Sequence, residues 1–314
     1  MIPSSQAVPS LRGALPLALA VVCAAALALI ATGCGEREDP ILRLSAEESL
    51  TLGKQFLEQE KYARARRHLI HAFEVEPNSR SGREALLLAA DALYLQGSTE
   101  NYIKCEAKYR DFLNRFPTSD RSDYAQFKVA ECLAARVERP DRDQEVTLDA
   151  LEAYEELLRL YPDSEYLPEA RQRMREMNDQ LAAHELVVGS FYNRYGGTGI
   201  CKAAIARLEY LQNNYPQFAE MDQALYNLVV AYSRCGDFEK AEESLADLRR
   251  RYPDSEFLGE AKSWEENKIP DLRRLWEEEE ARRAALEALR AARTGTATKD
   301  TADAGEGSDE GSRR

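Results

Sequence analysis

Between about Ser45 and Pro253, apolar residues recur at spacings of three and four, the period of an amphipathic helix, and the runs are punctuated by proline. Five prolines sit in near-identical settings: Glu76-Pro77-Asn78-Ser79, Phe116-Pro117-Thr118-Ser119, Tyr161-Pro162-Asp163-Ser164, Tyr215-Pro216-Gln217-Phe218 and Tyr252-Pro253-Asp254-Ser255. They are 40, 45, 54 and 37 residues apart. Proline lacks the N–H that would continue a helix, and a following Asp or Ser can cap the next one, so each site predicts a turn between helices. Twelve residues before the prolines stand Ala65, Cys105, Ala150, Ala204 and Ala241. Eight before stand Leu69, Tyr109, Tyr154, Leu208 and Leu245, and five before stand Ala72, Phe112, Leu157, Leu211 and Leu248. These offsets put all three positions on one helical face, with the small residue where a neighbouring helix must come close.

The preceding helices obey the same scheme. Leu52-Gly53, Phe56 and Tyr62 precede Ala65, while Leu225, Leu228, Tyr232, Gly236 and Phe238 precede Ala241, a set that resembles the tetratricopeptide repeat over a full unit. The pattern predicts an all-α, tetratricopeptide-repeat superhelix of about five helix-turn-helix units, with insertions or lengthened helices in units two to four. From Asp163 to Tyr192 the helical pattern is almost unbroken, which predicts one unusually long helix ended by Tyr195-Gly196-Gly197-Thr198-Gly199. No strand precedes those glycines and no lysine comes after them at the required spacing, so a helix stop is expected there and not a phosphate loop. A helix from Ser255 to Lys268 is expected to cap the stack, and a charged, solvated helix is expected from Pro270 to Arg293. Residues 294–314 are Gly, Ser, Thr, Asp and Ala with little to bury, and are expected to be disordered.

Composition agrees with helix. Of 314 residues 44% are apolar, 31% charged and only 8% aromatic, which argues against a β-sandwich or barrel. The net charge is -13, and past residue 33 it is -14, because Arg12 is the only ionised side chain before that point. Such a balance disfavours nucleic-acid binding by phosphate neutralisation.

Arg12 leads into an apolar run from Leu15 to Ile30, then Ala31-Thr32-Gly33-Cys34. The run is too short and poorly flanked for a membrane span, and small residues before a cysteine resemble the lipobox of bacterial lipoproteins. That resemblance implies a signal peptide at 1–33 and acyl chains, palmitate among them, on Cys34. Three chains hold far more firmly than one, at about 0.8 kcal/mol per buried methylene. A linker occupies 34–44, and the repeat domain is bounded at 45–269.

An anchor and then five repeats resembles the BamD (YfiO) family of the bacterial outer-membrane β-barrel assembly machinery over roughly residues 45–255. Its most specific stretches here are Asp123-Tyr124-Ala125 with Phe127, Asp141-Arg142-Asp143, Tyr161 to Tyr166, and Leu181-Ala182 with Glu185, Val188 and Tyr192. Ala130 stands where the family commonly has glycine, and Arg194-Tyr195-Gly196-Gly197 replaces an Arg-Gly-Ala type turn. The resemblance implies a non-enzymatic periplasmic scaffold at the outer membrane. Its amino-terminal units would bind unfolded barrel precursors, and its last two would dock on the periplasmic domains of the barrel-shaped core subunit. Gly35 after the lipid cysteine implies sorting to the outer membrane. Arg207 matches a family arginine on the docking side, and lies beside the stripe of Ala204, Leu208 and Leu211, where it can reach a partner carboxylate. Tyr62, Tyr94, Tyr124 and Phe127 are the candidate groove aromatics, although aromatics at helical spacing are usually core. A second function class is a repeat lipoprotein coordinating cell constriction or peptidoglycan synthesis, since related periplasmic proteins share the Tyr-Pro-Asp-Ser turn.

No catalytic constellation or cofactor motif is apparent. His68 and His71 are one turn apart without a third ligand at metal spacing, and His184 stands alone, so neither metal nor enzyme is expected. In an exported, oxidising setting the remaining cysteines can pair. Cys105 and Cys132 flank Pro117, and Cys201 and Cys235 flank Pro216, at separations that bring each pair level across a helical hairpin. Either two disulfides or free core thiols satisfy this spacing, Cys105 occupying a site where other units have Ala.

Overall fold

The computed structural model describes residues 39–195 and 199–303. The signal region, Cys34, the centre of the glycine turn and residues 304–314 lie outside them. Every regular element among the described residues is helical, and none is long and apolar enough to cross a membrane. After a 3-10 turn at Pro40–Arg43 come α1 (Ala46–Glu58), α2 (Tyr62–Val75), α3 (Arg80–Gln96), α4 (Thr99–Arg115), α5 (Ser122–Ala134), α6 (Glu145–Leu160) and α7 (Leu167–Tyr195). Beyond these lie α8 (Cys201–Asn214), α9 (Met221–Cys235), α10 (Phe238–Arg251), α11 (Leu258–Ser263), a π-helical turn at Trp264–Lys268 and α12 (Ile269–Asp303). Each turn proline comes just after the second helix of a hairpin, and the long helix α7 runs 29 residues. After the first proline Ser79 Oγ accepts from Gly82 N at 2.9 Å in the first turn of α3, and after the second Ser119 Oγ accepts from Arg121 N at 3.2 Å in the turn leading into α5.

The chain divides into two compact bodies, one ending at Ala92 and one beginning at Leu93, with the boundary inside α3. In the first body, Leu50, Ala65, Leu69, Ala72, Ala85 and Ala89 form the core. A Cβ on Gly53 would meet the Leu69 side chain at 2.6 Å, so the residue eight before the proline lies directly on the backbone of α1. The second body repeats the device: a Cβ on Gly189 of α7 would meet Leu208 of α8 at 2.7 Å. All fifteen stripe positions read from the sequence are at most 2% exposed, which identifies the stripe as the core of every hairpin.

Successive hairpins in the second body are joined by a recurring junction. Ser164 Oγ donates to Asp123 Oδ2 at 2.7 Å, and 91 residues further on Ser255 Oγ donates to Asp222 Oδ2 at 2.6 Å. The same aspartates accept from the backbone N–H of Tyr124 and Gln223. Phe127 stacks on Tyr166 at 5.1 Å and Tyr226 on Phe257 at 5.5 Å, each pair occupying equivalent positions after its prolines. Ala170 and Ala261, equivalent again, are fully buried.

That equivalence makes α11 the opening of the first helix of a sixth unit. The sequence pattern separates a cap at 255–268 from a charged helix at 270–293, whereas the structure runs one into the other. In the π turn Ile269 N donates to Trp264 O, so the ladder is already out of α register where Pro270 has no N–H to give. Helix α12 continues to Asp303, because extending a formed helix costs less than starting one. Trp276 of α12 lies against Gly236, which ends α9 at φ +81, and a Cβ there would come within 2.9 Å of the indole.

Cys105 is bonded to Cys132 and Cys201 to Cys235, closing separations of 27 and 34 residues. Reagent titration of the denatured, unreduced domain should find none of these four thiols reactive, and reduction should lower stability by roughly 2 to 4 kcal/mol per bridge. At the first junction, a double-mutant cycle of Asp123→Asn with Ser164→Ala should give a coupling of about 1 kcal/mol in urea unfolding.

Candidate functional site

The candidate groove residues fall in different places. Tyr62 opens α2 in the first body and is half-buried. Tyr94, Tyr124 and Phe127 belong to the second body, but Phe127 is only 4% exposed between Tyr154 and Tyr166. It is core, because its ring completes the junction stack, and it offers no surface to a ligand. Tyr94 and Tyr124 remain half-buried, and both carry cations on their rings. Lys128 Nζ stands 4.3 Å from the Tyr94 ring centre and the Arg121 guanidinium 4.5 Å from that of Tyr124. Positions 121, 124 and 128 share one face of α5, so this face presents flat rings topped by positive charge.

Beneath it lies an acid that the sequence pattern did not single out. Glu131, 5% exposed, accepts from Tyr94 Oη at 3.2 Å, from Tyr154 Oη at 2.5 Å and from Arg173 Nε at 3.1 Å. Four helices, α3, α5, α6 and α7, thereby meet on one carboxylate. Burial first, and then the nearby Glu131 charge, push the Tyr94 hydroxyl up to about 12 and raise Tyr154 further. An acid inside the otherwise apolar stretch Val129 to Leu133 was the available signal, since a buried charge requires a partner.

Arg207 reaches back within its own hairpin, its Nη1 donating to Glu185 at 3.1 and 3.2 Å. Its side chain is 48% exposed and that of Glu185 11%, so the arginine neutralises a buried acid while keeping an open edge. On the opposite side of α7 from Leu186, Gly189 and Asn193, the residues Val187, Phe191 and Tyr195 form a second apolar stripe at i, i+4 and i+8. They are 41, 56 and 65% exposed, and the Phe191 and Tyr195 rings lie 4.7 Å apart. The Asp141-Arg142-Asp143 stretch is a built loop. Gln144 Nε2 donates to the Arg139 and Arg142 carbonyls, and His184 Nδ1 on α7 lies 2.6 Å from the Pro140 carbonyl. His71 Nε2 is 3.1 Å from the Leu44 carbonyl and His68 stacks on Phe56, so all three histidines have structural partners. No group of three or more metal-ligating side chains occurs among the described residues.

Helical hairpins with buried small-residue seams, repeated in register, define an all-α tetratricopeptide-repeat fold. Residues 44–248 match the family model described as YfiO, outer membrane lipoprotein, and the chain belongs to that family. Relatives that carry the name outer membrane protein assembly factor BamD include those of three organisms. That of Caulobacter vibrioides is 29% identical over 177 residues, 56% of each chain. That of Rickettsia prowazekii is 25% identical over 75% of this chain and 92% of its own. That of Haemophilus influenzae is 26% identical over 67% of this chain and 82% of its own. The alignment thus spans little more than half of the Caulobacter relative. A likeness to a thermophilic repeat protein of Thermus thermophilus covers 69% of this chain and 97% of that one at 18% identity, but its TM-score of 0.31 carries no argument.

Tyr94→Phe should cost about 1 to 2 kcal/mol near pH 8 by removing one donor from a buried carboxylate. The Tyr94 hydroxyl is raised from about 10 unfolded to about 12 folded, so its stabilisation is complete below pH 10 and lost as pH rises through 12. Urea titrations of both proteins across that range should show the gap closing at the alkaline end; a gap independent of pH would place the hydroxyl outside the Glu131 cluster.

Proposed function

We propose that the protein is a lipid-anchored, periplasmic scaffold of the outer-membrane β-barrel assembly machinery, tethered through Cys34. Family membership and the names of its relatives support a role in outer-membrane protein assembly. The finer reading has two faces. The face of α5 with Tyr94 and Tyr124 under Lys128 and Arg121 takes unfolded precursor segments, because rigid rings give contact area at little entropic cost. The region of Arg207 and the α7 stripe docks on the core subunit.

The observation carrying the docking reading is the Val187–Phe191–Tyr195 stripe, a row of three large apolar groups exposed side by side on one face of α7. Interfaces concentrate their energy in such aromatic anchors, often bordered by arginine. Arg207 on α8 is a separate candidate contact, its side chain paired with Glu185 and 48% exposed, so it can also reach a second acid.

Mild-detergent affinity purification of the lipidated protein from its own membranes tests this. A large barrel protein with repeated periplasmic domains should co-purify, and Phe191→Glu with Tyr195→Glu should reduce its recovery at least tenfold, as loss of an aromatic hot spot does. Both positions are exposed, so the variants should fold normally by circular dichroism. Recovery of cell-wall synthases with no barrel subunit would overturn the assembly reading.

A further inference from the structure

Helix α12 is held to the second body along one edge. Ile269 is 4% exposed, Arg273 pairs with Glu242 of α10, and Trp276 lies against Gly236, positions that follow one another at i, i+4 and i+7. The family match ends at residue 248, so the whole of this helix lies beyond it. About a third of the way round the helix from that edge runs a second row, Leu272, Leu275, Glu279, Arg282, Leu286 and Leu289, spaced 3, 4, 3, 4 and 3. That spacing is the alternation of a and d positions in a heptad repeat. Leu272 is half-buried, while Leu275, Leu286 and Leu289 are 54, 52 and 63% exposed. Glu279 and Arg282 are exposed as well. Three leucines are thus left in water in the register that a second helix covers.

The order of the row decides which helix fits. In an antiparallel pair each a position faces a d position of the other helix. Reversed against a second copy of itself, the row sets Leu272 on the second copy's Leu289, Leu275 on its Leu286 and Glu279 on its Arg282, and each pairing occurs twice by symmetry. Apolar layers close both ends, and two oppositely charged layers fill the centre. A parallel pair would instead set Glu279 on Glu279 and Arg282 on Arg282, like charges in the middle of the seam. The flanks agree with the antiparallel arrangement. Arg283, which donates to Glu279 of its own helix at 2.7 Å, comes beside the second copy's Trp276, and Glu278 comes beside its Ala285.

We infer that α12 is a self-association element, through which two copies of the chain pair antiparallel along the row from Leu272 to Leu289. The seam spans about 27 Å at the helical rise, and its central charged layers give up stability while fixing register and direction. The pair is therefore a reversible one, favoured wherever the chains are held close together. This inference is independent of the precursor and core-subunit contacts of the proposed function.

The test uses the full chain in mild detergent, with tags of different length on the two partners. Leu275→Cys and Leu286→Cys proteins mixed in equal amounts should form a mixed disulfide-linked dimer on gentle oxidation, and neither should do so alone; Cys105, Cys132, Cys201 and Cys235 are already bridged. Sedimentation velocity should find reversible dimers of the unchanged chain. Glu279→Arg and Arg282→Glu should each weaken them at least about tenfold, because both central layers then hold like charges. Mixing those two variants places opposite charges in both layers again, and dimers should return. All four positions are exposed, so every variant should keep the circular dichroism of the unchanged chain. Absence of the mixed disulfide, or dimers untouched by the two charge substitutions, would overturn the inference. Cross-linking of Leu275→Cys to itself would overturn it too, since that contact belongs to a parallel pair. A monomeric chain that loses a different co-purifying protein on Leu286→Glu would assign the row to that protein instead.

Discussion

The structure depends on how closely two helix backbones approach within each hairpin. The residue twelve before every turn proline is Ala or Cys and fully buried, and the larger residue eight before it reaches across to the facing helix. In the first and fourth hairpins that facing position is glycine, and adding one carbon would bring atoms within 2.6 or 2.7 Å of leucine. Interiors packed this tightly have few alternative arrangements. With the seam fixed, the outer faces of the helices are free to vary, and it is there that Phe191, Tyr195 and Tyr124 are displayed.

Between hairpins a different chemistry operates. Asp123 with Ser164 and Asp222 with Ser255 make a short polar clasp beside a stacked aromatic pair, so each junction has a direction-specific component and an apolar one. The Glu131 cluster lies next to the first of these clasps. A buried ion pair adds little net stability, since desolvation offsets the attraction, yet removing one partner is costly. Its consequence here is positional: Tyr94 is held by its hydroxyl, and its ring is therefore fixed beneath Lys128 on the surface proposed to receive precursors.

The helical seam was legible in the sequence because proline punctuation and small-residue spacing are local signals that recur. The long α7 was legible for the same reason. Phe127 was misread as a surface candidate because helical spacing shows which residues share a face and not what covers that face; Tyr166, which covers it, lies 39 residues away. Glu131 and Arg173 were invisible as a pair across 42 residues, and Arg207 showed its side of α8 but not its partner Glu185. The Val187, Phe191 and Tyr195 stripe was readable as a second apolar row on α7, but a search for one core stripe per helix passes over it.

The end of the repeat array obeys the same rules. The helix after Pro253 begins as another first helix, with Ser255, Phe257 and Ala261 in their repeat positions, so a further hairpin would be expected to continue the stack. Instead Arg273 pairs with Glu242 at 2.7 Å, and Arg249 with Glu265, across the side of α10 that another helix would use. Terminal repeats need a polar outer face to remain soluble, and these charges supply one. Trp276 fills the last apolar position over Gly236, and from Glu277 to Ala291 every side chain is exposed. That stretch gains nothing from burial, so its helicity rests on local terms such as the Arg283 to Glu279 pair and on continuity with the anchored turns before it.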